Sequence, residues 1–214
     1  MPSLWRCPWP ESDRGAVHRT LSRWLDSDHH AQRKPWSWAP QTSGLLIGLL
    51  DDRLAERLLH GADAAGTPID QVAAITWAEL GSGRPRNDWQ LEFLSPVTFR
   101  RGNRFLPWPS PSAVFGSLRA TWRNFGAPQV GDLELDLRLD PLVVTAFCGT
   151  SCTERVTVHN QASVLVGGFV GTVRYALDGA ADPHIIGTLA RLAPFSGVGA
   201  YTTRGFGGVR TSGE

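Results

Sequence analysis

The chain has 214 residues, 42% of them hydrophobic, and a formal net charge of +1 at pH 7. This length fits one large or two small globular domains, and the composition excludes a disordered chain. The longest apolar run, residues 44–50, is far shorter than the roughly 20 residues of a membrane-spanning helix, so a membrane protein is excluded. An N-terminus without an apolar signal segment and three cysteines without metal-ligand spacing favour a reduced, cytoplasmic location.

The chain begins with a predicted strand at residues 3–7. Ser12 or Asp13 is then expected to cap a helix, because apolar side chains recur at helical spacing up to residue 25. Two prolines bracket residues 35–40, which are predicted to form a loop or a short strand.

A continuous apolar run at residues 44–50 predicts a buried strand. Asp51 or Asp52 caps a second predicted helix, and residues 69–77 return as a strand. The order is therefore β-α-β-β-α-β, and it defines a first domain over residues 1–86.

A Gly-, Pro- and Arg-containing stretch at residues 81–88 is the best linker candidate, and a second domain is predicted over residues 87–214. Its first segment, residues 89–101, is predicted to begin as a strand. Ser110 then caps a helix that has Pro111 at its first position, where the missing proline N–H is not needed.

The rest of the second domain repeats the order of the first. Strands are predicted at residues 133–140, 142–148, 154–158 and 164–175. Asp182 and Pro183 open a last helix, and a glycine-rich loop leads to a short strand at 205–210. Together the two halves predict an α+β protein with two tandem ferredoxin-like βαββαβ domains.

The basic residues are distributed unevenly although the net charge is small. Residues 93–131 contain five arginines and no acid, and residues 183–213 contain three arginines and no acid. Phosphate binding needs a local positive field rather than a large net charge. Candidate phosphate contacts in the first stretch are Arg100, Arg101 and Arg104.

The second acid-free stretch includes a glycine-rich segment, residues 195–210. Its candidate phosphate-binding residues are Gly197, Gly199, Thr202, Thr203, Arg204, Gly205, Gly207 and Arg210. Glycines let a backbone approach a phosphate closely and present N–H groups to it. The alternative is a tight helix-to-strand turn that requires positive φ angles. No GK[ST] follows, which disfavours a nucleotide triphosphatase.

Histidines gather near the first helix. His18 lies on the predicted helix, His29 and His30 follow it, and Lys34 is close behind. A helix histidine and a loop histidine can act as general base and general acid near neutral pH. The alternative is that they are solvated polar residues. Their spacing does not match a zinc site, so no metal or other cofactor is expected.

Four segments in order resemble the CRISPR-associated repeat-processing endoribonucleases of the RAMP superfamily. The terminal run LARLAPFSGVGAYTTRGFGGVR resembles the family's glycine-rich loop, and residues 91–126 resemble its central strand, loop and helix. GGFVGTVRYAL resembles its penultimate segment. RGAVHRTLSRWL with His30 and Lys34 resembles its N-terminal helix and histidine-bearing loop.

This resemblance implies two ferredoxin-like domains and a function in antiviral defence. The substrate would be precursor CRISPR RNA, cut within each repeat without a metal ion, leaving a 5′-hydroxyl and a 2′,3′-cyclic phosphate. The partner would be CRISPR repeat RNA. Other subunits of a CRISPR effector complex and a second copy of the chain are further candidate partners.

The family pattern places His30 at the loop histidine, His18 at a variable helix position and Lys34 at a phosphate-contacting lysine. The spacing from His30 to Lys34 is shorter than in the family, so His29 is an alternative to His30. Two other functions stay open. One is a non-catalytic repeat-binding or scaffold subunit of the same superfamily, and the other is an RNA-recognition module outside CRISPR systems.

Overall fold

The N-terminal half forms an antiparallel sheet of four strands, with strand order β2-β3-β1-β4. The structure is a computed structural model that describes residues 1–9, 13–26, 33–133, 139, 141–157, 163–178 and 182–212. The strands are β1 (Ser3–Cys7), β2 (Trp36–Gln41), β3 (Gly44–Leu49) and β4 (Asp70–Ala74). Helices α1 (Arg14–Leu25) and α2 (Asp52–Ala64) pack against this sheet.

Both helices begin where the sequence predicts. The Asp13 carboxylate accepts hydrogen bonds from the N–H groups of Gly15 and Ala16 at the start of α1, and Asp51 caps α2. The predicted apolar stripe of α1 is buried against the sheet, including Leu21 and Leu25. The predicted βαββαβ order of the first half is confirmed.

The predicted strand at residues 69–77 is wrong at its C-terminal end. Thr76 caps a short helix, α3 (Trp77–Gly81), and the Thr76 and Glu79 side chains each bond the other's backbone N–H. This reciprocal capping box stabilises a helix start at residues where β-propensity predicts a strand. Trp77, which the prediction placed at the end of the strand, is buried in the hydrophobic core of the C-terminal half.

The C-terminal half forms a second sheet with strand order β10-β5-β9-β8. Its strands are β5 (Asp88–Val97), β8 (Leu142–Thr157), β9 (Ser163–Leu177) and β10 (Val209–Ser212). Helices α4 (Pro111–Thr121) and α6 (Pro183–Ser196) begin at the predicted caps Ser110 and Asp182. Both sheets thus have the strand order of a βαββαβ unit, and the predicted tandem ferredoxin-like fold is confirmed.

One strand prediction in this half needs correction. The strands predicted at 142–148 and 154–158 are one strand, β8, because β9 pairs with it along its whole length. The segment 89–101 begins as a strand, β5, as predicted. It ends in β6 (Phe99–Arg101), which pairs with β7 (Arg104–Leu106) in a separate hairpin. The register of β5 shifts around Pro96, which has no N–H to donate to a neighbouring strand.

The segment between α4 and β8 also differs from the prediction. Trp122 is buried and begins a π-helical turn that leads into α5 (Ala127–Val130). The predicted strand at 133–140 lies mostly outside the described residues, and Leu133 and Leu139, which are described, are not in a strand. Within the described residues, no helix is both long and apolar enough to cross a membrane.

Helix α6 joins the two units because it contacts strands of both sheets. At the crossing, the backbone of Gly48 on β3 lies directly against the Phe195 carbonyl at the end of α6. The Ser37 hydroxyl of β2 donates a hydrogen bond to the same carbonyl, at 3.4 Å. This close approach brings the end of α6, and the glycine-rich segment after it, onto the first sheet.

We predict that Gly48→Ala destabilises the fold by about 1 to 3 kcal/mol, because the added methyl group would overlap the Phe195 carbonyl. Gly81→Ala is the matched control, since nothing lies within 4 Å of its added Cβ. Urea unfolding of both variants measures the difference. Equal stability of the two would contradict the close contact between the units.

Candidate functional site

The glycine-rich segment, residues 195–210, is held in place by hydrogen bonds to α4, β5 and α6. Gly197, Gly199, Gly205 and Gly207 all have positive φ angles between 64° and 85°, a backbone conformation that favours glycine. The Gly199 N–H donates to the Ser117 hydroxyl at 2.9 Å, and the Gly207 N–H donates to the Pro96 carbonyl at 2.8 Å. Gly197 donates to the last turn of α6. The N–H groups of these three glycines therefore bind protein acceptors rather than a ligand.

The same segment presses against strand β2 of the first unit. Gly205 lies against the Trp38 ring, so closely that a Cβ there would overlap the indole. The Trp38 indole N–H donates to the Thr203 carbonyl at 2.8 Å. From α1, His18 Nδ1 lies 2.7 Å from the same oxygen. One carbonyl thus binds ring nitrogens from two elements of the first unit.

This contact determines which nitrogen of His18 carries the proton. A carbonyl oxygen can only accept, so Nδ1 must donate to Thr203, and in the neutral ring Nε2 is left as the basic nitrogen. Burial lowers the pKa of His18 below its usual value of 6.5, and the positive charge of Arg204 lowers it further. The Thr203 bond and Asp26 act in the opposite direction. His18 is therefore a neutral imidazole of fixed tautomer at neutral pH.

Lys34 is linked to His18 through Trp36. The His18 ring is stacked on the Trp36 ring, with centroids 6.1 Å apart. The Trp36 indole N–H donates to the Asp26 carboxylate at 2.7 Å, and Lys34 Nζ lies 3.6 Å from the other oxygen of that carboxylate. The Asp26 side chain is only 7% exposed. The buried Asp26 carboxylate, which also accepts the Trp36 hydrogen bond, therefore fixes the position of the Lys34 ammonium group.

A groove of about 1050 Å³ opens between the two units, and its lining includes Lys34 and Thr203 but not His18. Four basic residues line it: Arg33, Lys34, Arg100 and Arg101. Thr202 and Thr203 of the glycine-rich segment add hydroxyl groups to the wall. None of the described residues that line the groove is acidic. The groove therefore has the charge and the hydrogen-bond donors that a phosphate backbone needs.

The remaining predicted RNA-binding arginines lie in different surroundings. Arg104 is exposed on β7 and is not among the described groove-lining residues. Arg204 donates to the Thr157 carbonyl at the end of β8. Arg210 forms a two-point ion pair with Glu92, at 2.7 and 3.0 Å, on the adjacent strand. The structure thus brings Arg100 and Arg101 together with Lys34, and it engages Arg204 and Arg210 with protein acceptors.

His29 and His30 lie outside the described residues, so their predicted roles stay predictions. Sequence reasoning missed the aromatic side chains that line the groove, among them Phe105, Trp108 and Tyr201. Tyr201 has a positive φ of 62°, unusual for a residue other than glycine, and its ring lies 5.2 Å from that of Phe105. The signal was the high density of aromatic and basic residues around 99–108. The prediction used the arginines of this stretch and not its aromatic residues.

Two ferredoxin-like units thus enclose a groove that is basic and has no acid among its described lining residues. The family model described as "CRISPR-associated endoribonuclease Cas6" matches residues 91–209, more than half of the chain. The chain belongs to this family.

Relatives and solved structures agree with this assignment. The Cas6 endoribonuclease of Mycobacterium tuberculosis strain CDC 1551 is 29% identical over 152 residues, which is 67% of this chain. The chain spans 43% of the length of that curated relative. A Cas6 product complex has a TM-score of 0.76 at 26% identity, with both chains fully covered. Thermus thermophilus Cas6, at 24% identity and a TM-score of 0.75 over 99% and 98% of the two chains, shares the fold.

We predict that His18 titrates below pH 6.5 and carries its proton on Nδ1 at pH 7. Arg204→Gln should raise the His18 pKa, because it removes a positive charge. Since the folded pKa lies below the unfolded value, His18 contributes stability above about pH 6.5 that is lost as the pH falls. Long-range ¹H–¹⁵N NMR of the imidazole rings measures both the tautomer and the titration.

Arg19→Gln is the control for this experiment. Arg19 also lowers the His18 pKa, but it is the weakest of the named influences and its side chain is 70% exposed. Its replacement should shift the midpoint less than Arg204→Gln does. A protonated imidazolium at pH 7, or a neutral ring with its proton on Nε2, would contradict the geometry.

Proposed function

We propose that this protein is an endoribonuclease that binds CRISPR repeat RNA and cuts precursor CRISPR RNA within its repeats. The observation that carries the proposal is the basic groove, which has no acid among its described lining residues and which includes Thr203, whose carbonyl binds His18. Membership of the Cas6 family supports the same substrate class. The similar solved structures include a Cas6 product complex and a Cas6 substrate mimic complex, and the latter is 25% identical with a TM-score of 0.68.

The proposed chemistry uses the RNA as its own nucleophile. The 2′-hydroxyl attacks the adjacent phosphorus, the bond to the 5′-oxygen of the next nucleotide breaks, and a 2′,3′-cyclic phosphate and a 5′-hydroxyl result. The protein must accept the proton of the 2′-hydroxyl, supply a proton to the 5′-oxygen and stabilise negative charge on the phosphate. The reaction needs no external nucleophile and, in this proposal, no metal ion.

Each of these tasks has a candidate group. The unprotonated Nε2 of His18 is suited to accept a proton, because its lowered pKa keeps the ring neutral. His30, or His29 in its place, is the proposed second acid–base group, on the basis of the family resemblance. Lys34 is the proposed cation for the phosphate, with Asp26 and Trp36 as the groups that position it. Arg100 and Arg101 are proposed to bind neighbouring phosphates along the groove.

We predict that His30→Ala and His18→Ala each lower the single-turnover cleavage rate of the repeat RNA by about 10²- to 10⁴-fold. Binding of the RNA should change little, because a neutral imidazole adds little attraction for phosphate. The double variant should lose less than the product of the two effects, since groups that act in one step are not additive. His60→Ala, on the exposed face of α2, is the control.

Three outcomes of this experiment distinguish the alternatives. A loss of cleavage in His29→Ala but not in His30→Ala assigns the loop role to His29. Wild-type rates in all three variants would show that the acid–base assignment is wrong. Tight binding of the repeat without any cleavage by the wild-type protein would favour the non-catalytic scaffold subunit.

We also predict that cleavage persists in excess EDTA and stops when the nucleotide 5′ of the cut carries a 2′-deoxyribose. The deoxy sugar removes the nucleophile and leaves the phosphate contacts intact. Gel analysis of the two product ends, before and after treatment with phosphatase, reveals whether the upstream fragment ends in a cyclic phosphate. Activity that is lost in EDTA and restored by magnesium would refute this mechanism.

A further inference from the structure

Two large aromatic side chains form a pair on the surface, and one of them, Trp108, also lines the groove. The rings of Trp108 and Phe147 have centroids 5.3 Å apart and meet edge to face at 89°. Trp108 is 46% exposed and Phe147 is 61% exposed. An edge-to-face contact covers one face of one ring, so the pair offers aromatic faces that the two rings do not cover for each other.

The backbone holds this pair rigidly. Trp108 lies between Pro107 and Pro109, and its carbonyl accepts a hydrogen bond from the Ser110 N–H at 2.9 Å. The buried Tyr175 hydroxyl donates to the Pro109 carbonyl at 2.8 Å. Phe147 lies on β8, within the long ladder that β8 forms with β9. Two exposed aromatic residues on fixed backbone bind a flat ligand without a large loss of conformational entropy.

The pair is continuous with the basic groove. Trp108 lines the groove together with Arg100 and Arg101, and the adjacent Leu106 is itself 40% exposed. Along this wall of the groove, the guanidinium groups of Arg100 and Arg101 are therefore followed within a few residues by the aromatic ring of Trp108. A single-stranded nucleic acid has matching parts, because its phosphates bind arginines and its bases stack on aromatic side chains.

We propose that Trp108 and Phe147 form a stacking platform for an unpaired nucleotide of the RNA that occupies the groove. This inference rests on the proposed function and adds the kind of RNA segment that this part of the groove binds. A base inside a duplex is stacked on both faces, so an aromatic side chain does not reach the interior of a stem. We assign the platform to an unpaired base, because its exposed rings lie beside arginines that bind the backbone of a single strand.

The test compares two fluorescent 12-nucleotide RNA probes by anisotropy: oligoadenylate and an abasic ribose-phosphate strand of the same length and charge. The wild-type protein should bind oligoadenylate more tightly than the abasic strand. Trp108→Leu keeps an apolar side chain but removes the large aromatic face, and it should weaken oligoadenylate binding about 5- to 100-fold. Its affinity for the abasic strand should not change.

Two further variants serve as controls. Trp108→Phe keeps an aromatic face and should retain most of the difference between the probes. Leu59→Ala changes a residue of similar exposure, 44%, on α2 of the first unit, and should leave both affinities unchanged. Thermal unfolding of each variant confirms that it is folded.

Equal affinity of the wild-type protein for the two probes would overturn the proposal, as would wild-type binding of oligoadenylate by Trp108→Leu. A dimer that Trp108→Leu dissociates, with RNA binding unchanged, would identify the pair as a protein interface and would also overturn it. These measurements do not depend on cleavage. If the protein cuts the repeat but does not distinguish the two probes, this inference alone is wrong. If it distinguishes the probes but does not cut the repeat, the proposed function alone is wrong.

Discussion

The candidate site depends on one carbonyl group. The Thr203 oxygen accepts a hydrogen bond from the Trp38 indole and another from the His18 imidazole, so it joins the second unit to both β2 and α1 of the first. The carbonyl can reach these rings because Gly205 has no side chain to separate the segment from Trp38. The hydrogen bonds to the Thr203 oxygen therefore hold the two units together and also determine which nitrogen of His18 carries the proton. A displacement of the glycine-rich segment would change both.

Neither unit alone contains the site that results. The first unit supplies His18, Lys34 and the Trp36–Asp26 pair that positions the lysine. The second unit supplies the Thr203 carbonyl and the β6–β7 hairpin, which carries Arg100 and Arg101. The groove lies at the junction, and helix α6 contacts both sheets there. Conformational constraints on the glycines follow from this arrangement. Their positive φ angles and internal hydrogen bonds form a tight connection from α6 to β10, and the outer surface of that connection is a wall of the groove.

Local signals in the sequence predicted most of the fold. Asp13, Asp51, Ser110 and Asp182 cap helices at the expected places, because a cap depends on residues within one turn. The failures occurred where a competing interaction overrides propensity. The capping box of Thr76 ended a strand early, and pairing with β9 kept β8 continuous through Gly149, which propensity alone marks as a break. Sheet pairing over such distances along the chain has no local signature.

The sequence predicted basic residues that line the candidate site, but it did not predict which basic residues are paired with acids. Acid-free stretches identified Arg100 and Arg101, and both line the groove, whereas Arg210 from the second stretch is paired with Glu92 on the neighbouring strand. Sequence distance hid that pair, since the two residues are 118 positions apart. The same effect explains how a chain of net charge +1 forms a strongly basic groove: carboxylates such as Glu92 neutralise arginines elsewhere on the sheets. The field that attracts a phosphate backbone therefore depends on where the fold places the acids, more than on how many basic residues the chain contains.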